Sequence, residues 1–552
     1  MATSMTGGEA MIRSAIANGA DTVFGLPGAQ IYALFDAIDA ANLRLLVPRH
    51  EQTAAYMAMG YAKSSGKTGL FCVVPGPGVL NAAAALCTAH GNCSPIVCFT
   101  GQVPSAYLGR GRGHLHELPD QLATLGSFVK SAVRIDDPAA TSRIVNEAFR
   151  AARSGRPGPV TVEMCWDRMM EICDTEIEPG VPVHPGLDPD LDAVAAAAKL
   201  IAAARRPMIM CGAGAQHASE AVLALAELLD APVTAFRSGR GVVAEDHPLG
   251  VASVAARELW DDVDLLIGVG SRLEMPFMRW RDPMRYEARP RAAPKLVRID
   301  IDAAEMTRLV PDIGIVGDSA VACRLLADRL APIAKPDRGR RDEIASAKRA
   351  ASALIRKLVP QAQYLEVVRA AIPRDGFLVP ELSQVGFATY TGAYPVLAPR
   401  TYVSEGHQGT LGFGFPTALG VKAAHPRTPV VSVTGDGGFM FAAAELATAA
   451  QYDIGLVTLV FNNDSYGNVL RDQREQFGGR IVGAELRNPD FVRLAESFGV
   501  AAERLASPRA LGPALERALA SGHPALIASG VCCRDSSRNR AVTMTSSSSR
   551  PC

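Results

Sequence analysis

Short apolar runs rich in β-branched residues alternate with alanine-rich amphipathic stretches along most of the chain. Each run has the length of a strand and is bounded by glycine, which is typical of parallel strands buried on both faces of a sheet. The stretches between them have helical periodicity. The pattern therefore predicts an α/β protein whose parallel sheets are covered by helices. The clearest predicted strands are Leu70–Val74, Ile96–Thr100, Val160–Val162, Pro207–Met210, Leu265–Gly268, Leu296–Ile299, Val430–Val433 and Leu456–Phe461.

Two breaks interrupt this pattern, and a chain of 552 residues is long enough for about three domains. Residues 176–189 (EIEPGVPVHPGLDP) are rich in proline, and residues 334–341 (AKPDRGRR) are charged and unpatterned, so both are interpreted as exposed linkers. The predicted domains are residues 1–175, 190–333 and 345–528. Whether the first and third are copies of one fold stays open. Residues 529–552 are polar and serine-rich, and we expect them to be disordered.

Charge and composition exclude several classes of partner. Lysine plus arginine equals aspartate plus glutamate, at 56 each, so no long-range field recruits nucleic acid. No apolar run reaches the roughly 20 residues of a membrane-spanning helix, and the start lacks the pattern of a secretory signal. We therefore expect a cytoplasmic protein with no membrane or nucleic-acid partner. Its eleven cysteines are interpreted as buried thiols rather than bridges or zinc ligands.

The segment 431–463 carries the strongest chemical signal. A predicted strand runs into Gly435-Asp436-Gly437-Gly438, a helix follows from about Phe441, and a second strand ends at Asn462-Asn463. Glycines after a strand let the backbone approach a phosphate, and the following helix presents free amides to it. A carboxylate and an amide at two neighbouring strand ends would converge, and such oxygen ligands suit Mg²⁺.

A glycine-rich turn can also serve packing alone. The combination of an aspartate at one strand end with asparagines at the next is more specific than the turn by itself, and favours a cofactor site.

The spacing resembles the thiamine diphosphate motif: Gly435-Asp436-Gly437, 24 intervening residues, then Asn462-Asn463. The likeness covers nearly the whole chain and is closest to the acetolactate synthase (acetohydroxyacid synthase) large-subunit and benzaldehyde lyase branch. It includes GLPGAQIYALFDAI at 25–38, RHEQTAAYMAMGYAKSSGK at 49–67, PGPGVLNA at 75–82 and GTLGFGFPTALG at 409–420. The resemblance implies a pyrimidine-binding, a central Rossmann-like and a diphosphate-binding domain.

The resemblance also implies site residues. Asp436, Asn463 and the carbonyl of Ser465 match the family's Mg²⁺ ligands. The backbone of the turn and, more loosely, a loop before it would bind the diphosphate of thiamine diphosphate. These residues are Gly437, Gly438 and Phe439 in the turn and Ser383 and Gln384 in the loop.

On the pyrimidine side, Glu51 matches the glutamate that hydrogen-bonds the ring nitrogen and promotes loss of the thiazolium proton. A glutamate at a helix start is otherwise often only a favourable charge on the dipole. Leu411 matches the apolar wedge beneath the cofactor, although a leucine is by default a core residue. The carbonyl of Gly409 and the amide of Leu411 would hold the ring. In the family Glu51 and Asp436 come from different subunits, so a homo-oligomer, at least a dimer, is expected.

The substrate side is less determined. Gly28, Ala29 and Gln30 match stretches that line the substrate in the family. His116 lies near a family glutamine and would act on a substrate carbonyl, or it is a surface histidine. The tryptophan that biosynthetic acetohydroxyacid synthases have near Asp472 is absent. Residues 268–282 match the flavin-contacting stretch of some members only loosely, so a structural FAD stays an open alternative without support from the sequence.

The leading interpretation is an acetolactate-synthase-like enzyme that decarboxylates a 2-oxo acid such as pyruvate and joins the product to a second carbonyl. The alternative within the class is a lyase or decarboxylase acting on 2-hydroxy ketones, 2-hydroxyacyl thioesters or 2-oxo acids. An inactive relative that serves as an assembly partner is the alternative from another class.

Overall fold

The computed structural model describes residues 3–182, 186–276, 294–333 and 339–530. Its strands form three parallel sheets of six, six and five strands and one antiparallel pair. All eight predicted strands are present. Helices cover the sheets, and the α/β prediction with three domains is confirmed.

The first domain contains a six-stranded parallel sheet in the order β3-β2-β4-β5-β7-β6, and β1 pairs with β8 antiparallel. Its strands are β1 Thr3–Thr6, β2 Thr22–Gly25, β3 Arg44–Leu46, β4 Gly69–Val73, β5 Ile96–Gln102, β6 Ser131–Ile135, β7 Val160–Cys165 and β8 Ile172–Thr175. Its helices are α1 Gly7–Ala17, α2 Tyr32–Ala40, α3 Glu51–Ser65, α4 Pro77–Gly91, α5 Gln121–Gly126, α6 Thr141–Arg153 and α7 Trp166–Met170.

The central domain has the sheet order β11-β10-β9-β12-β13-β14, which is the order 3-2-1-4-5-6 of a Rossmann fold. Its strands are β9 Pro207–Cys211, β10 Val233–Ala235, β11 Gly250–Val251, β12 Leu265–Val269, β13 Lys295–Asp300 and β14 Ile313–Val316. Its helices are α8 Leu191–Ala202, α9 Ser219–Leu229, α10 Ser253–Leu259, α11 Ala304–Arg308 and α12 Ser319–Leu330.

The third domain has the sheet order β15-β16-β17-β19-β18. Its strands are β15 Phe377–Pro380, β16 Val430–Gly435, β17 Val457–Phe461, β18 Ala501–Leu505 and β19 Ala525–Ser529. The helices after the central domain are α13 Arg340–Ile355, α14 Gln361–Ala371, α15 Gln384–Ala388, α16 Gly414–Ala424, α17 Asp436–Phe439, α18 Leu446–Gln451, α19 Gly467–Gln476, α20 Phe491–Ser497 and α21 Leu511–Ser521.

The first and third domains have the same winding. Tyr402 forms an isolated parallel bridge to Leu378 of β15 and occupies the place of a sixth strand. With that bridge counted, both sheets have the order 2-1-3-4-6-5 in chain sequence. The question that the sequence left open is therefore answered at the level of topology.

Helices α3 and α16 hold equivalent places in these two domains and pack closely against each other. A Cβ at Gly60 would lie 2.2 Å from the Thr417 carbonyl oxygen, and one at Gly420 would lie 2.0 Å from the Met57 carbonyl oxygen. The reciprocal contacts relate the helices by an approximate two-fold axis. Glycine is needed at both positions because the backbones touch there.

The predicted linkers are only partly free of structure. The described part of 176–189 contains no helix or strand, but Ser142 accepts a hydrogen bond from the Glu178 amide at 2.9 Å. Residues 334–338 lie outside the described residues. Arg340 and Arg341, predicted as linker, instead begin α13, because Arg340 is buried and pairs with Glu343 at 2.9 Å. The predicted tail lies outside the described residues from residue 531, while Ser529 is the last residue of β19. The exact domain boundaries stay a prediction.

Candidate active site

Two neighbouring strand ends of the third domain meet, as the sequence predicts. Strands β16 and β17 are adjacent and parallel, with Gly435 opposite Phe461. Asp436 follows β16 directly and is the first residue of α17, and Asn463 lies two residues beyond the end of β17. Because parallel strands bring their carboxyl ends to one edge, the two side chains converge there.

Three polar groups converge at this corner, formed by Asp436, Asn463 and Ser465. The end of the Asn463 amide that faces Asp436 lies 3.2 Å from Asp436 Oδ1 and 2.9 Å from the Ser465 carbonyl oxygen. An amide nitrogen at that end would donate to both oxygens, whereas an amide oxygen would complete a group of three oxygens. Neighbouring ligands of octahedral Mg²⁺ lie about 2.9 Å apart, since each is about 2.0–2.1 Å from the ion. The spacing therefore fits a divalent cation.

Asp436 is held in place from its other side. It is 2% exposed, and its Oδ2 accepts hydrogen bonds from Asn488 Nδ2 at 2.7 Å and from the Ser465 amide at 3.2 Å. Burial raises the pKa of Asp436, while these hydrogen bonds act in the opposite direction. With Oδ2 occupied in this way, Oδ1 is left to face Asn463.

The glycine turn differs from the prediction in one respect. The helix was expected to begin near Phe441, but the first helical turn is α17, Asp436–Phe439, and the regular helix resumes only at α18. This turn requires glycine at 437 and 438, because neighbouring side chains occupy the space where Cβ atoms would be. A Cβ at Gly437 would lie 2.6 Å from the Tyr466 ring, and one at Gly438 would lie 2.4 Å from Glu381 Oε1. Phe439 packs its ring against Phe415 and Phe491, so only its backbone is available to a ligand.

The loop with Ser383 and Gln384 lies beside this turn. Ser383 caps α15 by accepting a hydrogen bond from the Gly386 amide at 3.0 Å, and a Cβ at Gly435 would lie 3.1 Å from Ser383 Cβ. Gln384 Nε2 donates to Asn468 Oδ1 at 2.7 Å, on the first turn of α19. The structure thus brings both residues close to the strand end that bears Asp436.

The loop with Gly409 and Leu411 reaches the same region. Gly409 has a φ of +61°, which favours glycine, and the hypothetical Cβ at this position would lie 3.6 Å from Leu382. The Gly412 amide donates to Glu381 Oε1. The space at Gly412 is closed by Phe441, at 2.5 Å from the position of a Cβ.

Glu51 begins α3 in the first domain and is partly exposed. Its Oε2 accepts a hydrogen bond from Asn81 Nδ2, on α4, at 3.0 Å. Just before it, the Arg49 amide donates to the carboxylate of Glu445 in the third domain at 3.0–3.1 Å. Among the contacts of the described residues, none joins Glu51 to Asp436 of the same chain.

The predicted substrate residues also meet in the first domain. Gln30 is 2% exposed, donates to the Leu115 carbonyl at 2.9 Å, and pairs through Oε1 with His116 Nδ1 at 3.1 Å. Gly28 leaves room for Val74, whose Cγ1 lies 2.3 Å from the position of a Cβ. Ala29 begins the short 3-10 helix that follows β2. These residues lie at the carboxyl edge of the first sheet, as Glu51 does.

The central domain presents a closed glycine turn. The amide of Gly214 donates to the Gly270 carbonyl at 3.2 Å, and a Cβ at Gly212 would lie 2.1 Å from that oxygen. Gly-x-Gly here allows two turns to pack backbone against backbone. The last part of the flavin-like stretch, 277–282, lies outside the described residues.

Within the described ranges, no three or more histidine, cysteine, aspartate or glutamate residues are grouped to share a metal ion. The corner of Asp436, Asn463 and Ser465 is not such a group, because its other two oxygen ligands would come from an amide and a backbone carbonyl. The eight described cysteines are free thiols. No described helix is long and apolar enough to cross a membrane.

Three residues of these sites were not singled out from the sequence: Asn81, Glu381 and Asn488. Glu381 is 3% exposed, and burial raises its pKa to about 7 against hydrogen bonds from Thr434, Gly412 and Gly414. Its position directly after an apolar strand was a usable signal, since strand ends carry the site residues elsewhere in the chain. Asn81 and Asn488 gave none, because their partners are distant in sequence.

Comparison with known proteins identifies the family to which the three domains belong. Family models match the N-terminal TPP binding domain of thiamine pyrophosphate enzymes at residues 5–124, their central domain at 194–326 and their C-terminal TPP binding domain at 383–529. A probable acetolactate synthase large subunit of Methanocaldococcus jannaschii is 34% identical, over 95% of this chain and 91% of its own length. A probable 2-ketoarginine decarboxylase of Pseudomonas aeruginosa is 34% identical, over 94% and 92%. The acetolactate synthase large subunit of Haemophilus influenzae is 31% identical, over 93% and 92%. The chain therefore belongs to the thiamine pyrophosphate enzyme family, as a thiamine-diphosphate-dependent carboligase or lyase related to acetolactate synthase.

Proposed function

We propose that this enzyme binds thiamine diphosphate with Mg²⁺, decarboxylates a 2-oxo acid such as pyruvate, and joins the remaining acyl unit to a second carbonyl compound. The observation that carries the proposal is the corner of Asp436, Asn463 and Ser465, whose 2.9 and 3.2 Å spacings suit Mg²⁺ ligands.

The remaining residues would each have a defined task. Asp436, Asn463 and the Ser465 carbonyl would hold Mg²⁺, which neutralises a diphosphate bound by the backbone of Gly437 and Gly438. The loop with Ser383 and Gln384 and the buried Phe439 backbone would complete the diphosphate site.

When bound, thiamine diphosphate would supply a nucleophilic carbon for addition to the carbonyl of a 2-oxo acid. Glu51 would hold a proton at the pyrimidine nitrogen, and the Gly409 carbonyl and Leu411 amide would orient that ring. His116 Nδ1 donates to Gln30 Oε1 at 3.1 Å, so its Nε2 would face the substrate and relay a proton there.

A dimer would bring the two halves of the site together. Asn81, which donates to Glu51, directly follows Leu80, and Leu80 is 45% exposed. The glycine turn lies next to Met440 and Phe441, which are 43% and 58% exposed. Such apolar surface beside both halves supports burial between two subunits, with Glu51 of one facing Asp436 of the other.

A second candidate function is decarboxylation without ligation. The relative described as a 2-ketoarginine decarboxylase matches as well as the synthases do, and the tryptophan expected near Asp472 is absent. This candidate differs from the first only in whether a second carbonyl is accepted.

The test is to incubate purified protein, thiamine diphosphate and Mg²⁺ with pyruvate, and separately with a 2-oxo acid bearing a guanidinium group, each with and without an aldehyde acceptor. Release of CO₂ together with a ligated product supports the synthase. Release of CO₂ with an aldehyde as the sole product supports the decarboxylase. Absence of turnover with retained cofactor binding would favour an inactive relative.

A further inference from the structure

Glu381 lies between two segments of the candidate cofactor site. It directly follows β15, and its side chain is 3% exposed. Its carboxylate reaches the 409–414 loop on one side and the 434–438 turn on the other. A buried carboxyl group is costly unless its oxygens receive hydrogen bonds, so its placement between two cofactor segments calls for a reason.

The contacts with the 409–414 loop are made by backbone groups. The Gly412 amide donates to Glu381 Oε1, and the Gly414 amide provides a further hydrogen bond. A Cβ at Gly414 would lie 2.8 Å from Glu381 Cβ. The loop therefore rests directly on the glutamate.

The contacts with the 434–438 turn are equally close. Thr434 Oγ1 donates to Glu381 Oε2 at 2.6 Å. A Cβ at Gly438 would lie 2.4 Å from Glu381 Oε1, so this glycine makes room for the carboxylate. The glycines at 414 and 438 therefore make room for Glu381, in addition to letting a ligand approach the backbone.

We propose that Glu381 is a positioning residue for the cofactor, holding the 409–414 loop and the 434–438 turn at a fixed separation. The inference rests on the proposed function, in which the loop holds the pyrimidine ring and the turn binds the diphosphate. One rigid carboxylate between them sets the distance between the two ends of a single bound molecule.

The ionised form is the one that serves this task. Two backbone amides and one hydroxyl converge on the two oxygens, and the amides cannot reverse their direction. A proton on Oε2 would reverse the bond to Thr434, whose hydroxyl would then accept from Glu381 and donate to the Gly435 carbonyl at 3.1 Å. The contacts of Glu381 would lose their charge and weaken.

The surroundings place this change near neutral pH. Burial has the largest influence and raises the pKa of Glu381, the hydrogen bonds lower it and the negative charge of Glu405 raises it, and together they place this pKa at about 7. Tyr56, on α3, is a further titratable group that faces it, and burial raises the pKa of Tyr56 as well. The ionised fraction of Glu381 rises from about one tenth at pH 6 to nine tenths at pH 8.

The experiment is calorimetric titration of the full-length protein with thiamine diphosphate in saturating MgCl₂ at pH 6, 7 and 8. In wild type the affinity should increase about tenfold from pH 6 to pH 8 beyond the titration of the ligand itself. Glu381→Gln, which keeps the shape but not the charge, should bind more weakly at pH 8 and lose that increase.

Two further variants separate this effect from a general loss of structure. Glu381→Asp keeps the charge but is shorter, and should bind more weakly while retaining the pH dependence; it decides the matter should the glutamine variant not fold. Glu163→Gln removes another fully buried glutamate, in the first domain, and should keep the wild-type pH dependence.

Wild-type affinity and pH dependence in Glu381→Gln would overturn the inference and leave the proposed function intact. Failure of the wild-type protein to bind thiamine diphosphate at any pH would overturn both.

Discussion

Replacing Asn488 by alanine tests whether the metal corner depends on a residue that touches no ligand. The Asn488 amide nitrogen lies 2.7 Å from Asp436 Oδ2, 2.9 Å from Asn462 Oδ1 and 3.2 Å from Asp464 Oδ1. It therefore ties the end of β16 to the segment that follows β17. After its loss the Ser465 amide, at 3.2 Å, still donates to that carboxylate oxygen.

The expected magnitude follows from the kind of bond removed. A hydrogen bond to a charged group contributes about 1.5–3 kcal/mol. Residues that orient a metal ligand typically change metal affinity by about 10–100-fold, or roughly 1.4–2.7 kcal/mol. We expect Asn488→Ala to weaken Mg²⁺ binding within this range, because the longer hydrogen bond from the Ser465 amide would then hold Asp436 less firmly in the apoprotein.

The assay is titration of Mg²⁺ into protein with saturating thiamine diphosphate, followed by calorimetry. The control is Asn92→Ala, which removes another buried amide whose Nδ2 donates to the Ser404 carbonyl at 3.1 Å. It should lower thermal stability without changing Mg²⁺ affinity. A Mg²⁺ affinity of Asn488→Ala within twofold of wild type would show that the strand alone orients Asp436.

Three other predictions concern the subunits, the helix contact and pH. Subunit exchange between inactive Glu51→Gln and inactive Asp436→Ala should restore about a quarter of wild-type turnover, since half of the dimers would be hybrids with one intact site. Absence of recovery despite proven exchange would show that both residues of a site come from one chain. Gly60→Ala should lower the free energy of unfolding, measured in urea, by about 1–3 kcal/mol, because the new Cβ meets a backbone carbonyl at 2.2 Å. The control Gly512→Ala, whose Cβ would have its nearest atom at 3.7 Å, should be neutral or stabilising. Equal effects of the two substitutions would contradict the close helix contact. Because the pKa of Glu381 is about 7 in the fold against an ordinary value of about 4.5, the stabilising contribution of its protonated form is complete below pH 4.5 and is lost as pH rises through 7. The unfolding free energy of cofactor-free wild type should therefore fall relative to Glu381→Gln, by up to about 3 kcal/mol, between pH 4.5 and 8, and parallel pH profiles would refute this.

Local pattern was enough to predict the sheets and the corner. Buried parallel strands are continuous apolar runs, so β16 and β17 could be located without any tertiary information. Asp436 and Asn463 each follow one of these strands, and parallel strands place their carboxyl ends together. The convergence of these two residues was therefore a consequence of the sequence.

Local pattern was not enough where contacts join distant segments. Glu381 and Asn488 lie about 50 residues from Thr434 and Asp436 in sequence, at 2.6 and 2.7 Å in space. Likewise, Tyr466 and Glu381, which occupy the space beside Gly437 and Gly438 in the turn, lie far from these glycines in sequence.

The sequence by itself determined which residues form strands, where the glycine turn lies, and which polar groups stand at the strand ends, because these depend on periodicity and on direction along the chain. The tertiary structure alone decided that α3 and α16 touch through Gly60 and Gly420, and that one carboxylate lies between two cofactor segments. Such contacts depend on how separately folded layers pack, and no local pattern records which side chain fills the space between them.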